Sequence, residues 1–283
     1  MKLTWFDANT WLVEAAGKRI LVDPWFVDDL TFGDLPWLVR GIKTDPAPIP
    51  SGIDLILLSQ GLADHAHPPT LKQLDKSIPV MASPDGAAVA TSLGFKRVTA
   101  LKHGDSATIA GGALTVQTFI GAVVGMNKKE NAYVLTFHSE DDSNSNSDDS
   151  KADSDTTNST RTSHIRLYYE PHGYPDTKHL KDLGRVDVVI TPLADIKLMG
   201  LAPVVRGGGV ALQLAELLRP QVMLPTAEAG KVTYDGLIAG AIKASGGVDE
   251  VRSQLAAKGL ETQVIQPVSG ETVKLTLHQA MPV

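Results

Sequence analysis

At 283 residues, 43% hydrophobic and 20% charged, the chain has the length and composition of a folded protein that buries a substantial core, and wholesale disorder is excluded. Its formal charge of −6 comes without any dense Lys/Arg run, and no apolar run reaches the roughly 18 to 20 residues that a membrane span requires, so neither nucleic acid nor a bilayer is an expected partner. Cys is absent, which removes disulfides, thiolate zinc sites, iron–sulfur clusters and cysteine nucleophiles together and leaves His, Asp and Glu to hold any metal. The opening Met1-Lys2-Leu3-Thr4-Trp5-Phe6-Asp7 lacks a basic segment followed by an apolar stretch, and it predicts a soluble, cytoplasmic chain.

In chain order, short apolar runs predict strands at 3–6, 10–14, 19–22, 55–58, 80–82, 97–100, 107–109 and 114–118. Helices are predicted at 69–76 and 84–93, each with a Pro start, the second closed by Gly94. Two further strands, 132–137 and 165–169, flank residues 139–164, which are almost wholly Ser, Asp, Asn and Thr. That segment has seven acids against two bases, carries most of the net charge, and reads as an overgrown, solvated hairpin loop. Beyond it come strands at 186–190 and 221–224, helices at 210–218, 234–245 and 248–258, and closing strands at 261–265 and 272–277. Strands and helices alternate in two halves with no other linker, which predicts one mixed α/β domain over residues 1–283.

The most informative stretch runs from Asp54 to Pro69: an apolar strand delivers Ser59, Gln60, Gly61, Asp64, His65 and His67 into a loop before a helix begins. Loops at strand ends are favoured places for metal ligands, because the scaffold fixes them while leaving the site open. Taken alone, an Asp-His pair is equally consistent with a hydrogen-bonded brace, and His67 before two prolines with an exposed side chain.

Several motifs carry a resemblance: Ile20-Leu21-Val22-Asp23-Pro24-Trp25, Leu57-Leu58-Ser59 leading to Asp64-His65, Leu167-Tyr168-Tyr169, Asp187-Val188-Val189-Ile190-Thr191-Pro192-Leu193 and Pro220-Gln221-Val222-Met223-Leu224-Pro225-Thr226. In this order they resemble the metallo-β-lactamase-fold hydrolases, and more closely the lactonase-like branch with its many metal-dependent hydrolases. The resemblance spans nearly the whole chain outside the acidic insert and implies a four-layer αββα sandwich. It also implies hydrolysis of an ester, lactone or phosphoester, on a small-molecule substrate, by water activated on metal.

The family signature H-x-H-x-D-H aligns its last two residues with Asp64-His65, which puts Gln60 and Leu62 where two histidines belong. A further metal histidine is missing near Phe119-Ile120-Gly121, the last is replaced by Ala227, and the early Gly-His aligns with Asp7-Ala8. The bridging Asp aligns with His172. Such a set cannot hold two zinc ions. The resemblance therefore implies at most one divalent ion, zinc or iron, on Asp64, His65 and His172, with Glu170 or Glu228 as acid/base or outer ligand; the alternative is a metal-free binding or scaffold protein on the same fold. Asp23, matching an active-site Asp of the family, is a site candidate or a turn cap, and Asp195 with Lys197 falls where the resembling family places a strand exit toward the active site. Arg206-Gly207-Gly208-Gly209 before a helix reads as a turn, and the four Trp residues of the first forty positions as core.

Overall fold

The computed structural model describes residues 1–31, 33, 35–109, 111–124, 128–138, 164–198 and 203–278; the acidic insert lies outside the described residues, apart from His164. The chain opens with three antiparallel strands, β1 (Lys2–Trp5), β2 (Trp11–Ala15) and β3 (Lys18–Val22), then the short β4 (Leu30–Thr31) and β5 (Arg40–Lys43). Next come β6 (Leu55–Leu58), α1 (Pro68–Gln73), β7 (Val80–Ala82), α2 (Pro84–Ser92), β8 (Val98–Ala100) and β9 (Ser106–Thr108). A long hairpin follows, β10 (Leu114–Val124) and β11 (Lys128–His138), and then β12 (His164–Tyr169), α3 (Thr177–Leu180), β13 (Val188–Ile190), β14 (Ala194–Leu198) and β15 (Pro203–Val205). The last part holds α4 (Gly208–Leu218), β16 (Val222–Leu224), β17 (Val232–Asp235), β18 (Ile242–Gly246), α5 (Val248–Ala257), β19 (Gln263–Val264) and β20 (Thr272–Lys274).

Two seven-stranded sheets result, ordered β20-β1-β2-β3-β6-β7-β8 and β19-β16-β13-β12-β11-β10-β9. Strand alternation builds the layers from them. Leu55 and Leu57 of β6 point inward to meet Leu167, Tyr169, Val188, Ile190, Val222 and Leu224 of the other sheet, forming the core between the sheets. The intervening Ile56 and Leu58 point outward onto Leu71 of α1 and Ala87 and Ala90 of α2. On the far side Tyr168, Val189 and Met223 pack under Ala211, Leu214 and Leu218 of α4 and Val251 and Leu255 of α5. Every strand of this centre is therefore buried on both faces, which explains its unbroken apolar runs, and the architecture is the four-layer αββα sandwich.

One element differs from expectation. Residues 234–245 form no helix: β17 pairs antiparallel with β5, a 3-10 turn follows, and β18 pairs antiparallel with β14. The spacing of Ile238 and Ile242 imitates a helical face, but Gly236 has φ +113°, and a Cβ there would lie 2.7 Å from the Leu38 carbonyl oxygen. These strands belong to two three-stranded sheets, β15-β14-β18 and β17-β5-β4, that the sequence reading did not contain. The tryptophans divide: Trp5, Trp11 and Trp25 are buried, while Trp37 is 62% exposed.

Candidate metal centre

The C-terminal end of β6 turns sharply into the loop that carries Asp64 and His65. Gly61 is required there, because the loop lies so close to the N-terminus of α2 that a Cβ would meet the Asp85 carbonyl carbon at 2.9 Å. The amides of His65 and Ala66 both donate to the Leu62 carbonyl, closing a tight turn that points the imidazole inward, and His65 is wholly buried. His172 arrives from the end of β12. Its turn needs Gly173, at φ +76°, whose place beside the Arg206 carbonyl leaves no room for a Cβ.

The sequence-expected trio converges: one ligand atom from each of Asp64, His65 and His172 lies within 4.8 Å of the others, and the two imidazole rings are 5.0 Å apart, centroid to centroid. Each imidazole is gripped at Nδ1 by a buried carboxylate. Asp23 Oδ2 lies 2.8 Å from His65 Nδ1, and Glu130 Oε2 lies 2.8 Å from His172 Nδ1. A ring that donates its Nδ1–H to a carboxylate presents Nε2 as its free ligand atom, the arrangement that orients metal-binding histidines.

Asp23 is therefore more than a turn cap. Its carboxylate accepts from the Ser59 amide at 2.7 Å, the Ser59 hydroxyl at 2.6 Å and the Tyr169 hydroxyl at 2.7 Å, besides His65. Glu130, absent from the sequence reading, is wholly buried on β11 and also accepts from Gln60 Nε2 at 3.1 Å. Its signal in the sequence, Lys128-Lys129-Glu130-Asn131, looks like a polar turn rather than a buried site.

Burial works against the His65 imidazolium, but the carboxylates of Asp64 and Asp23 outweigh it and hold the pKa well above the usual imidazole value. Burial likewise pushes Asp64 up, and the neighbouring His65 and His172 overcome this to leave it below the carboxylate range. Asp64 Oδ2 lies 3.1 Å from His65 Nε2, so a proton there can bridge the pair. Asp64 Oδ1, by contrast, is buried with no hydrogen-bond partner among the described residues. An unpaired buried carboxylate oxygen beside two Nδ1-anchored imidazoles fits a divalent cation in place of that proton. Around the trio, Gln60 is tied to Glu130, Leu62 is 42% exposed, and Asp7 is paired with Lys43 Nζ at 2.9 Å, and among the described residues no second group of three metal-capable side chains converges.

The expected acid/base carboxylates do not join the trio. Glu170 accepts from the His172 amide at 3.0 Å and the Gly173 amide at 2.6 Å, so it braces the loop that carries His172; burial and the charge of Glu130 push its pKa up to about 7. Glu228 accepts from Gln266 Nε2 at 2.9 Å, and burial raises its pKa. His67 is buried at the start of α1, 3.1 Å from the Thr70 hydroxyl and against the Trp25 ring. Asp195 accepts from the Gly207 amide at 2.8 Å, fixing the approach to α4.

Comparison with known proteins places the fold. The beta-lactamase superfamily domain matches residues 2–227, and the chain belongs to that family. Over the whole length the fold is similar to an isothiocyanate hydrolase from Delia radicum gut bacteria (TM-score 0.64, 17% identity, 98% of this chain and 99% of that one). It is also similar to Igni18, a metallo hydrolase from the archaeon Ignicoccus hospitalis (TM-score 0.61, 16% identity, 96% and 97%). In sequence, 65 residues are 40% identical to a UPF0173 metal-dependent hydrolase of Halobacterium salinarum, a match that spans 23% of this chain and 22% of that relative. Among the described residues, no helix is long and apolar enough to cross a membrane.

Proposed function

We propose that the protein is a hydrolase of small esters, lactones or phosphoesters that works with a single divalent ion, zinc or iron, held by Asp64, His65 and His172. The observation that carries this reading is the pair of buried carboxylates, Asp23 and Glu130, each fixing one imidazole by its Nδ1 beside the unpaired oxygen of Asp64. An ion bound there would lower the pKa of water toward neutrality and polarise the carbonyl or phosphoryl oxygen under attack. The chain's own residues do the rest. Asp23, steadied by Ser59 and Tyr169, keeps His65 in one tautomer; Glu130, steadied by Gln60, does the same for His172; and Glu170 fixes the turn between β12 and His172. The two-ion centre of the resembling family has been reduced to one, with Gln60 now serving Glu130.

The test is hydrolysis of p-nitrophenyl acetate, a γ-lactone and bis-p-nitrophenyl phosphate by untagged protein, before and after chelation and after return of zinc or iron. Activity that disappears with chelation and returns with the ion supports the reading; activity indifferent to chelation removes it. A second reading, a binding protein on a retired hydrolase fold, is favoured by the replacement of two imidazoles by Leu62 and Ala227 and by the ability of His65 and Asp64 to satisfy each other at 3.1 Å. Protein that binds neither ion and cleaves none of the three substrates would establish it.

A further inference from the structure

Two side chains claim the same nitrogen of His65. Asp64 Oδ2 lies 3.1 Å from Nε2, and Asn9 Nδ2 lies 3.4 Å from it. A carboxylate oxygen needs a hydrogen on that nitrogen, whereas an amide N–H needs its lone pair, so the ring satisfies one neighbour only by opposing the other. A cation among the three reconciles them if Asn9 presents its oxygen instead of its nitrogen. Exchanging the two takes a half-turn of the carboxamide and leaves its shape unchanged.

The surroundings of Asn9 accommodate that half-turn. Asn9 and Thr226 are buried, and the Thr226 hydroxyl lies 3.3 Å from both Asn9 Oδ1 and the Ala8 carbonyl oxygen while accepting from Trp11 Nε1 at 3.2 Å. As placed, that hydroxyl has two acceptors for one hydrogen. After the half-turn Nδ2 donates to the Thr226 oxygen, the hydroxyl hydrogen goes to the Ala8 carbonyl, and Oδ1 stands where Nδ2 stood. Neighbouring ligand atoms on a divalent ion at about 2.0–2.2 Å are about 2.8–3.6 Å apart, a window that holds both the 3.1 Å and the 3.4 Å separations at His65 Nε2.

The backbone is shaped to deliver this side chain. Asp7 and Ala8 both have positive φ, +69° and +47°, a strained pair for residues that carry a Cβ. Lys43 Nζ and the Lys231 amide hold the Asp7 carboxylate at 2.9 and 2.8 Å, and the Ala8 amide donates to the Glu228 carbonyl at 2.9 Å. The Tyr169 hydroxyl donates to the Asn9 carbonyl at 3.3 Å. Strain held this firmly around a buried polar residue marks a position that the site uses.

We infer that Asn9 is a fourth ligand of the ion at Asp64, His65 and His172, bound through Oδ1 once its carboxamide has made the half-turn. The inference rests on the single-ion reading above. Two imidazoles, one carboxylate and one neutral carbonyl oxygen leave room for water and substrate on divalent iron, or on zinc expanded to five ligands.

The experiment uses the full, untagged chain and cobalt(II), whose visible absorption reports the number and type of its ligands. Affinity is measured by competition with a chromophoric chelator in the unaltered protein, Asn9→Ala, Asn9→Asp and His65→Ala. Asn9→Ala is expected to lower the affinity at least about tenfold and to change the cobalt spectrum, since losing even the carboxylate behind a metal-bound imidazole costs about 10- to 100-fold. Asn9→Asp keeps the oxygen and removes the N–H, so the affinity is expected to hold or rise. A side chain that serves only to donate to His65 would give the opposite result, a loss in Asn9→Asp as large as in Asn9→Ala. That result, or an Asn9→Ala protein with the affinity and spectrum of the unaltered chain, would overturn the inference. Should Asn9→Ala fail to fold, Asn9→Asp, of the same shape, decides the matter. Cobalt lost in His65→Ala but indifferent to both Asn9 variants would keep the single ion and defeat Asn9 as its ligand; an unaltered chain that binds no cobalt would defeat both. Cobalt bound through Asn9, in protein that cleaves none of the three test substrates, would uphold the ligand and defeat the hydrolase reading.

Discussion

Asp23 Oδ2 lies 2.8 Å from His65 Nδ1, with both side chains wholly buried, so the carboxylate on the floor of the site decides which nitrogen of the imidazole faces Asp64. Asp23→Asn keeps the shape but gives the imidazole, Ser59 and Tyr169 a weaker acceptor. The affinity for zinc is expected to fall by about 10- to 100-fold, the usual effect of losing the carboxylate behind a metal-ligating histidine. Competition against a chromophoric zinc chelator measures it; an affinity within twofold of the unaltered protein would show that Asp23 is structural only.

Glu130 makes the matching claim for His172. Glu130→Gln retains a hydrogen-bond acceptor near Gln60 and His172 but removes the charge that, against the effect of burial, raises the His172 pKa. A loss of zinc affinity of about 10- to 100-fold is again expected, with a melting temperature little changed. Combining Glu130→Gln with Asp23→Asn should cost less or more than the sum of the two if both act through one ion; strict additivity in a double-mutant cycle would argue for independent roles.

The Asp7–Lys43 pair is almost completely buried, with Nζ 2.9 Å from the carboxylate, 2.6 Å from the Phe6 carbonyl oxygen and 4.6 Å from the Trp25 ring centroid. Lys43→Met strands a buried carboxylate and is expected to destabilise the fold by about 3–5 kcal/mol. Lys43→Met with Asp7→Asn should recover part of that loss. Denaturant unfolding of the three variants distinguishes this from simple loss of packing, which the second substitution would not repair.

Glu228 gives a pH signature of its own, outside the trio of ligands. Burial raises its pKa in the folded protein, so between the unfolded value and the raised one the native state holds more protons. Its stabilising contribution is complete below the ordinary carboxylate pKa and is lost as pH rises through the raised value. Glu228→Gln, which can still meet Gln266, is expected to remove that decline and to stabilise the protein near neutrality. Melting temperatures from pH 4 to 8 for the two proteins should converge at the acid end; parallel curves would show that Glu228 titrates normally.

The sandwich was legible because its central strands are short, apolar and buried on both faces, as in Leu55–Leu58, so local sequence and final environment agree. The convergence of Asp64, His65 and His172 on one point was legible through motif order. Glu130 was not: it stands in a polar run, and its burial depends on a hairpin partner and on His172, forty-two residues on and across the acidic insert. The 234–245 segment was misread for a related reason. Its apolar spacing suits a helix in isolation, and only pairing with β5 and β14, far away in the chain, decides otherwise.

A single ion on Asp64, His65 and His172 is tested most directly by its stoichiometry. Elemental mass spectrometry of untagged protein, after zinc loading and exhaustive dialysis, should find close to one zinc per chain. The count should fall to a small fraction in His172→Ala and in His65→Ala. Two ions per chain, none at all, or one ion that survives both substitutions would contradict a single ion on these three residues.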